Sequence, residues 1–237
     1  MRQGILWGVI GLAGGAVLTA TLANQYEYQL APVWYEVAGV DVSNHQGAID
    51  WSALAGAKVM FAYIKATEGG DFKDKRFTLN WEGAKKAGVA RGAYHFFTQC
   101  RTGLEQANNF ISTVPRESGA LAPVIDAEHM GPCRTGQQIS SVVNEITTML
   151  GLLEAHYGRR PLIYTSSDFD ALYFQGQLAG EKFWVRSMFW PPAFRTEQWL
   201  IWQYHDAGTR PGVSGPIDLN VFRGSRGRFA AFLAGET

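Results

Sequence analysis

From Val37 onward, short runs of apolar, β-branched and aromatic residues alternate with stretches of helical spacing. Eight runs have the length and make-up of strands: Val37 to Ser43, Met60 to Ala66, Ala90 to Phe97, Pro123 to Glu128, Pro161 to Thr165, Phe183 to Ser187, Leu200 to His205 and Ile217 to Phe222. The clearest helix runs from Gln137 to Tyr157, where Ile139, Val142, Val143, Ile146, Met149, Leu150 and Leu153 recur at helical spacing. Gly158 and then Pro161 end it. Weaker helical patterns cover Phe77 to Ala87 and Gly103 to Val114. The first half therefore reads as alternating β and α, and the second half as strands joined by little helix. That order predicts an α/β fold built as an eight-stranded barrel with an irregular outer ring. A doubly wound sheet would want a helix after nearly every strand.

Before Val37 the pattern changes. Arg2 is followed by an uncharged stretch, Gly4 to Ala23, rich in Ile, Leu and Val. A run of about 20 such residues can span a bilayer. Thr21 and Ala23 also supply the small residues of a secretory cleavage site. Either reading exports the rest of the chain, and Arg2 favours an N-terminus that stays in the cytoplasm. The expected organisation is a signal anchor or signal peptide over 1–23, a short stalk over 24–36, and one domain over 37–237, in which no repeat or linker interrupts the pattern.

Charge narrows the function. Lys+Arg and Asp+Glu are both 21, so no basic stripe is offered to a phosphate backbone, and nucleic acid is not an expected partner. Acidic residues instead sit inside or at the ends of the apolar runs, where a carboxylate is costly to bury without a task or a partner. Asp41, Asp126, Glu128 and Asp218 stand out. A single acid at a strand end commonly caps a helix or pairs with Arg or Lys; four of them, including an Asp-x-Glu pair, point to chemistry. Strand periodicity puts Asp126 and Glu128 on one face, with Ile125 and Ala127 on the other. Two carboxyls in one small volume cannot both ionise freely, so one keeps its proton and the other stays anionic. Glycoside hydrolysis needs that division: an acid to protonate the leaving oxygen, and negative charge beside an oxocarbenium-like centre. Eight Trp, nine Tyr and fourteen Phe supply flat surfaces on which sugar rings could stack.

Six ordered motifs carry a family resemblance: Gly39-Val40-Asp41-Val42-Ser43-Asn44-His45-Gln46-Gly47, Phe61-Ala62-Tyr63-Ile64-Lys65-Ala66-Thr67-Glu68-Gly69, Gly92-Ala93-Tyr94-His95-Phe96, Asp126-Ala127-Glu128, Trp202-Gln203-Tyr204 and Asp218-Leu219-Asn220. Together they resemble the glycoside hydrolase family 25 lysozymes from about Val37 to Phe222. The resemblance implies an irregular TIM-like barrel of eight strands with a reduced set of outer helices. It also implies a cofactor-independent muramidase that cuts the β-1,4 bond between N-acetylmuramic acid and N-acetylglucosamine in peptidoglycan with retention. Carried onto matching positions, it makes Glu128 the general acid, with Asp126 beside it and Asp41 and Asp218 completing an acidic cluster. Tyr63, Tyr94, Trp202 and Tyr204 would line the glycan groove, with Glu68 as a lesser contact. Retention can use a carboxylate nucleophile or the substrate's own acetamido group, and the sequence leaves both open. One departure stands out: where the family shows a Trp-Val-Ala-Arg-Tyr-like sixth strand, this chain has Phe183-Trp184-Val185-Arg186-Ser187-Met188. The usual aromatic is absent, and a different subsite is expected there.

Two rival functions use the same residues. A metal-dependent polysaccharide deacetylase or amidase would draw on His45, His95, His129 and His205 near the strand ends, but no H-x-H or H-E-x-x-H spacing occurs. A non-catalytic peptidoglycan-binding module on a membrane stalk would be expected to have lost an acid of the cluster. Cys100 and Cys133 follow the third and fourth strands, and so leave from the same rim of a parallel barrel on neighbouring strands. Strand spacing is about 4.8 Å and disulfide Cα separations are about 4.4 to 6.8 Å, so a bridge is expected in an exported protein.

Overall fold

The computed structural model describes residues 34–129, 139–188 and 190–236. Eight strands close into a barrel: β1 (Ala38–Val42), β2 (Val59–Glu68), β4 (Ala90–Phe96), β5 (Val124–Ala127), β6 (Leu162–Ser166), β7 (Phe183–Arg186), β8 (Trp199–Gly208) and β9 (Ile217–Phe222). A two-residue strand, β3 (Phe72–Lys73), folds back on the end of β2. Closure comes from β1, which pairs with β2 in parallel and with β9 in antiparallel register. All eight expected strands are present, with bounds moved by three residues at most. What the pattern could not show is that β9 runs opposite to both its neighbours.

The outer ring is sparse. Its helices are α1 (Trp51–Gly56), α2 (Phe77–Lys86), α3 (Gly103–Ile111), α4 (Ile139–Tyr157) and α5 (Arg226–Ala234), with a short helical and π turn over Ser167–Phe169 and Asp170–Phe174. The expected helices correspond to α2, α3 and α4; Gln137 and Gln138 lie outside the described residues. α3 starts at a capping box, in which Thr102 Oγ1 accepts from Glu105 N at 3.2 Å and the Glu105 carboxylate accepts from Thr102 N at 3.0 Å. α1 is too short to show a period, and its signal is local: Asp50 Oδ1 accepts from the N–H groups of Ser52 and Ala53, each at 3.0 Å.

Strand alternation divides the apolar residues into two cores. Ala62, Ile64, Ala93, Ile125, Ala127, Ile163 and Val185 face outward and pack with Trp81 of α2, Phe110 of α3, and Ile146, Met149, Leu150 and Leu153 of α4. Phe61, Tyr63, Val124, Leu162, Tyr164, Trp184 and Phe222 fill the barrel. α5 seals its N-terminal end: Phe229 lies 5.6 Å from Phe61 and 5.2 Å from Phe222 between ring centroids. The interior holds such large rings because Gly39 and Gly92 give up the facing volume. A Cβ at Gly39 would lie 2.3 Å from the Phe61 ring, and one at Gly92 would lie 2.3 Å from the Tyr63 ring.

The apolar segment Gly4 to Ala23 lies outside the described residues. Among the described residues no helix is long and apolar enough to cross a membrane. Cys100 is disulfide-bonded; Cys133, its expected partner, lies outside the described residues.

Because the Tyr63 ring facing Gly92 is locked inside the barrel, Gly92→Ala should destabilise by about 1–3 kcal/mol through overpacking. Urea unfolding should show a lower midpoint with an unchanged slope. An unchanged midpoint would mean that the barrel interior is looser than these contacts describe.

Candidate active site

The same alternation decides which polar groups meet. Asp41 of β1 faces inward while Val40 and Val42 face the outer core, and Asp126 of β5 faces inward while Ile125 and Ala127 face outward. Asp41, Asp126, Glu128 and Asp218 line one cavity of about 320 Å³ at the end of the barrel where the parallel strands terminate. Asp218 is the second residue of β9, so in a parallel strand it would lie at the opposite rim. Reversal of β9 brings it to this rim, directly across from Asp41 in the register of the seam.

Neutral side chains hold the cluster in place. Asp41 Oδ2 accepts from Asn220 Nδ2 at 2.7 Å and from Gln203 Nε2 at 3.0 Å. Each amide is fixed in turn by an aromatic donor: Tyr164 OH donates to Gln203 Oε1 at 2.8 Å, and Trp184 Nε1 donates to Asn220 Oδ1 at 2.8 Å. Asp126 is buried without that support, and its Oδ1 has no hydrogen-bond partner among the described residues.

Burial raises the pKa of all four carboxyls. At Asp41 the rise is opposed by hydrogen bonds from Asn220, Gln203 and Asp218. At Asp218 burial is reinforced by the charge of Asp41, and at Asp126 by the charge of Glu128. At Glu128 burial is opposed first by the Arg186 guanidinium. Burial favours the protonated form of both Asp126 and Glu128, and the two titrate as a pair.

The expected sugar contacts fare unevenly. Tyr94 lines the cavity. Tyr63 points inward but one layer too deep; its ring stacks 5.1 Å from Trp184 and its OH donates to the Ala122 carbonyl at 3.1 Å. Trp202 and Tyr204 belong to the outer core, because they flank Gln203, which faces in. Trp202 Nε1 donates to the Ser187 carbonyl at 2.7 Å. Glu68 does not line the cavity but bonds Lys65 Nζ, which does, at 2.7 Å. Sequence reasoning missed Phe96, Tyr164 and Trp184 in the wall, together with Lys65, Arg186 and Gln203. Alternation would have found them: Lys65 is two residues from Tyr63, Phe96 two from Tyr94, and Trp184 and Arg186 share a phase on β7. The divergent strand thus does reach the site, through those last two residues.

The histidines are scattered. His95 faces away from the cavity, where Nδ1 meets Thr67 Oγ1 at 2.7 Å and Nε2 meets Gln106 Oε1 at 3.1 Å, and burial lowers its pKa to about 4. His45 bonds Ser43, His205 Nδ1 accepts from Ala207 N, and His129 packs on Phe169. Among the described residues no group of three His, Cys, Asp or Glu could hold a metal ion.

Residues 40–213 match the family model for glycosyl hydrolases family 25. The chain belongs to that family. It is 37% identical to Lysozyme M1 of Streptomyces globisporus over 217 residues that cover 85% of this chain and 72% of the relative. Among solved structures, a family 25 glycosyl hydrolase from Bacillus anthracis is 39% identical with a TM-score of 0.78, covering 82% of this chain and 92% of that one. The bacterial lysozyme from Streptomyces coelicolor is 34% identical with a TM-score of 0.77, covering 85% and 98%. The protein is accordingly a glycoside hydrolase with peptidoglycan muramidase activity, on a TIM-like barrel shared with its structural relatives.

The buried acids make stability depend on pH in a stated direction. With the folded pKa of Asp126 raised above its ordinary 3.8, its contribution is fully present below that value and is lost as pH rises through the folded pKa. Asp126→Asn should therefore raise the melting temperature of this hydrolase at neutral and alkaline pH, and the gain should vanish near pH 4. A variant less stable than wild type at pH 8 would contradict the raised pKa.

Proposed function

We propose that this muramidase cleaves its glycosidic bond with retention, using Glu128 as general acid and Asp126 as the group that orients the substrate's acetamido arm. The observation that carries this reading is the Asp126–Glu128 pair on one face of β5, in a cavity that raises the pKa of both. Glu128 is the more open of the two and faces the cavity mouth with Arg186. It is the carboxyl that can reach a leaving oxygen, deliver its proton, and later take one from water.

One property of Asp126 favours acetamido assistance over direct attack: its unpartnered Oδ1 is a buried acceptor suited to an amide N–H. The acetamido oxygen then attacks the anomeric carbon opposite the leaving sugar as that bond breaks, and water opens the cyclic intermediate from the face the leaving sugar vacated. Asp41, bonded to Asp218 and to two amides, forms the fixed wall of the cavity opposite this pair. Tyr94 is the expected sugar contact that lines this cavity, with Phe96, Tyr164 and Trp184 as its neighbours there.

The same reading places the enzyme outside the cytoplasm, tethered or released there by Gly4 to Ala23, and pairs Cys100 with Cys133 across the loops that follow β4 and β5. The disulfide at Cys100 and the apolar N-terminal pattern support it. Peptidoglycan glycan is the partner, and no cofactor is needed for these steps.

Incubation with purified peptidoglycan should release new reducing ends carried by N-acetylmuramic acid. Glu128→Gln should lower turnover by about 10²- to 10⁴-fold with the fold intact by circular dichroism; near wild-type turnover would remove Glu128 from its role. For the nucleophile, a muramyl thiazoline that mimics the cyclised arm should inhibit competitively. A glycosyl adduct on Asp126, found by intact-mass analysis after exposure to an activated 2-fluoro sugar, would assign the attack to the carboxylate instead.

A further inference from the structure

The cavity is not uniformly acidic. Lys65 and Arg186 both line it, and they are held in different ways. The Lys65 side chain is only 11% exposed; its ammonium is bonded to Glu68 at 2.7 Å and lies 4.8 Å above the Phe96 ring. It is part of the wall. Arg186 ends β7 with 38% of its side chain exposed, and Nη2 donates to Asp206 Oδ2 at 2.9 Å. Asp206 is itself half exposed, so water screens this pair and it is easily exchanged.

Two residues after the inward Trp184, strand alternation turns the Arg186 guanidinium into the cavity. An Arg in a cavity with four carboxylates raises the question of which anion it serves. Among the described residues none of the four bonds it: Asp41 is bound by amides, and Arg186 donates to Asp206. β7 lies two strands from β5, so by strand spacing Arg186 stands about 10 Å along the rim from the Asp126–Glu128 strand.

We propose that Arg186, steadied by Asp206, is a specificity-determining residue that binds a carboxylate on the 3-O-lactyl substituent of N-acetylmuramic acid. The inference rests on the muramidase reading. Of the two alternating sugars, muramic acid alone carries an acidic arm, and Arg186 is a partly exposed cation in the cavity wall that can receive it. A guanidinium presents a planar fork that matches a carboxylate with two parallel bonds, which the ammonium of Lys65, already committed, does not. The carboxylate can be the lactyl group itself, free where the stem peptide has been removed, or the first carboxylate of a retained stem. The free lactyl group would place this enzyme downstream of a reaction that hydrolyses the amide between glycan and peptide.

The test uses the full chain carrying Glu128→Gln, which should bind without cutting, and calorimetry with a muramyl tetrasaccharide in three forms: the free lactyl acid, its methyl ester, and the peptide-bearing form. The free acid should bind about tenfold tighter than the ester. Adding Arg186→Gln should bring that ratio close to one while ester affinity is kept. An Arg186-dependent preference for the peptide-bearing form over the free acid would assign the carboxylate to the stem. Equal binding of acid and ester, or a preference that survives Arg186→Gln, would overturn the proposal. So would a role confined to tuning Glu128, which changes turnover on every substrate alike and leaves the ratio untouched. If wild-type protein releases no reducing ends and the variant binds none of the three glycans, it is the muramidase reading that fails.

Discussion

Four carboxyl groups at one end of a closed barrel, two of them fully buried, set the terms for the rest of the molecule. Desolvation of an acid is unfavourable by several kcal/mol if it ionises without partners, so the surroundings must keep it neutral or bond it. Asp41 is bonded, by two amides that are themselves gripped by Tyr164 and Trp184. Asp126 is left short of partners, and its proton affinity rises as a result. One site thus holds both solutions to the same problem: a carboxyl bonded by amides, and a carboxyl with an acceptor left open. The scaffold supplies the energy for this from elsewhere: large rings inside the barrel, made possible by two glycines, and a second apolar core between strands and helices.

Much of the fold was legible because each strand is short, apolar and bounded, and because alternation there is strict. The four acids could be picked out for the same reason: a charge in an apolar run is conspicuous. Direction is different. Nothing in Ile217-Asp218-Leu219-Asn220 announces that β9 runs backwards, since an antiparallel strand and a parallel one share the same period. That reversal nevertheless carries Asp218 to the rim that Asp41 occupies. The short α1 and the terminal α5 also escaped the pattern, the first for lack of length. In α5, Phe229 and Phe232 alone are buried, too few for a recognisable stripe.

The site aromatics were misplaced for a reason visible in retrospect. Trp202, Gln203 and Tyr204 are consecutive, so a strand must divide them between two faces, and the amide holding Asp41 took the inner one. Tyr63 has the right face and the wrong depth: Lys65, one inward position further along β2, reaches the cavity instead. A motif remembered as a string hides this division. Reading every second residue recovers Phe96, Tyr164, Trp184 and Arg186 together.

The plug formed by α5 has a consequence for how a polymer is handled. With Phe229 and Phe232 packed against Phe61 and Phe222, the barrel is a cup and not a pipe. A glycan cannot be threaded through it and must be laid across the lip, with one linkage dipped toward the acids. Such a geometry does not need to find a chain terminus, and it lets go of both fragments from the side on which they arrived.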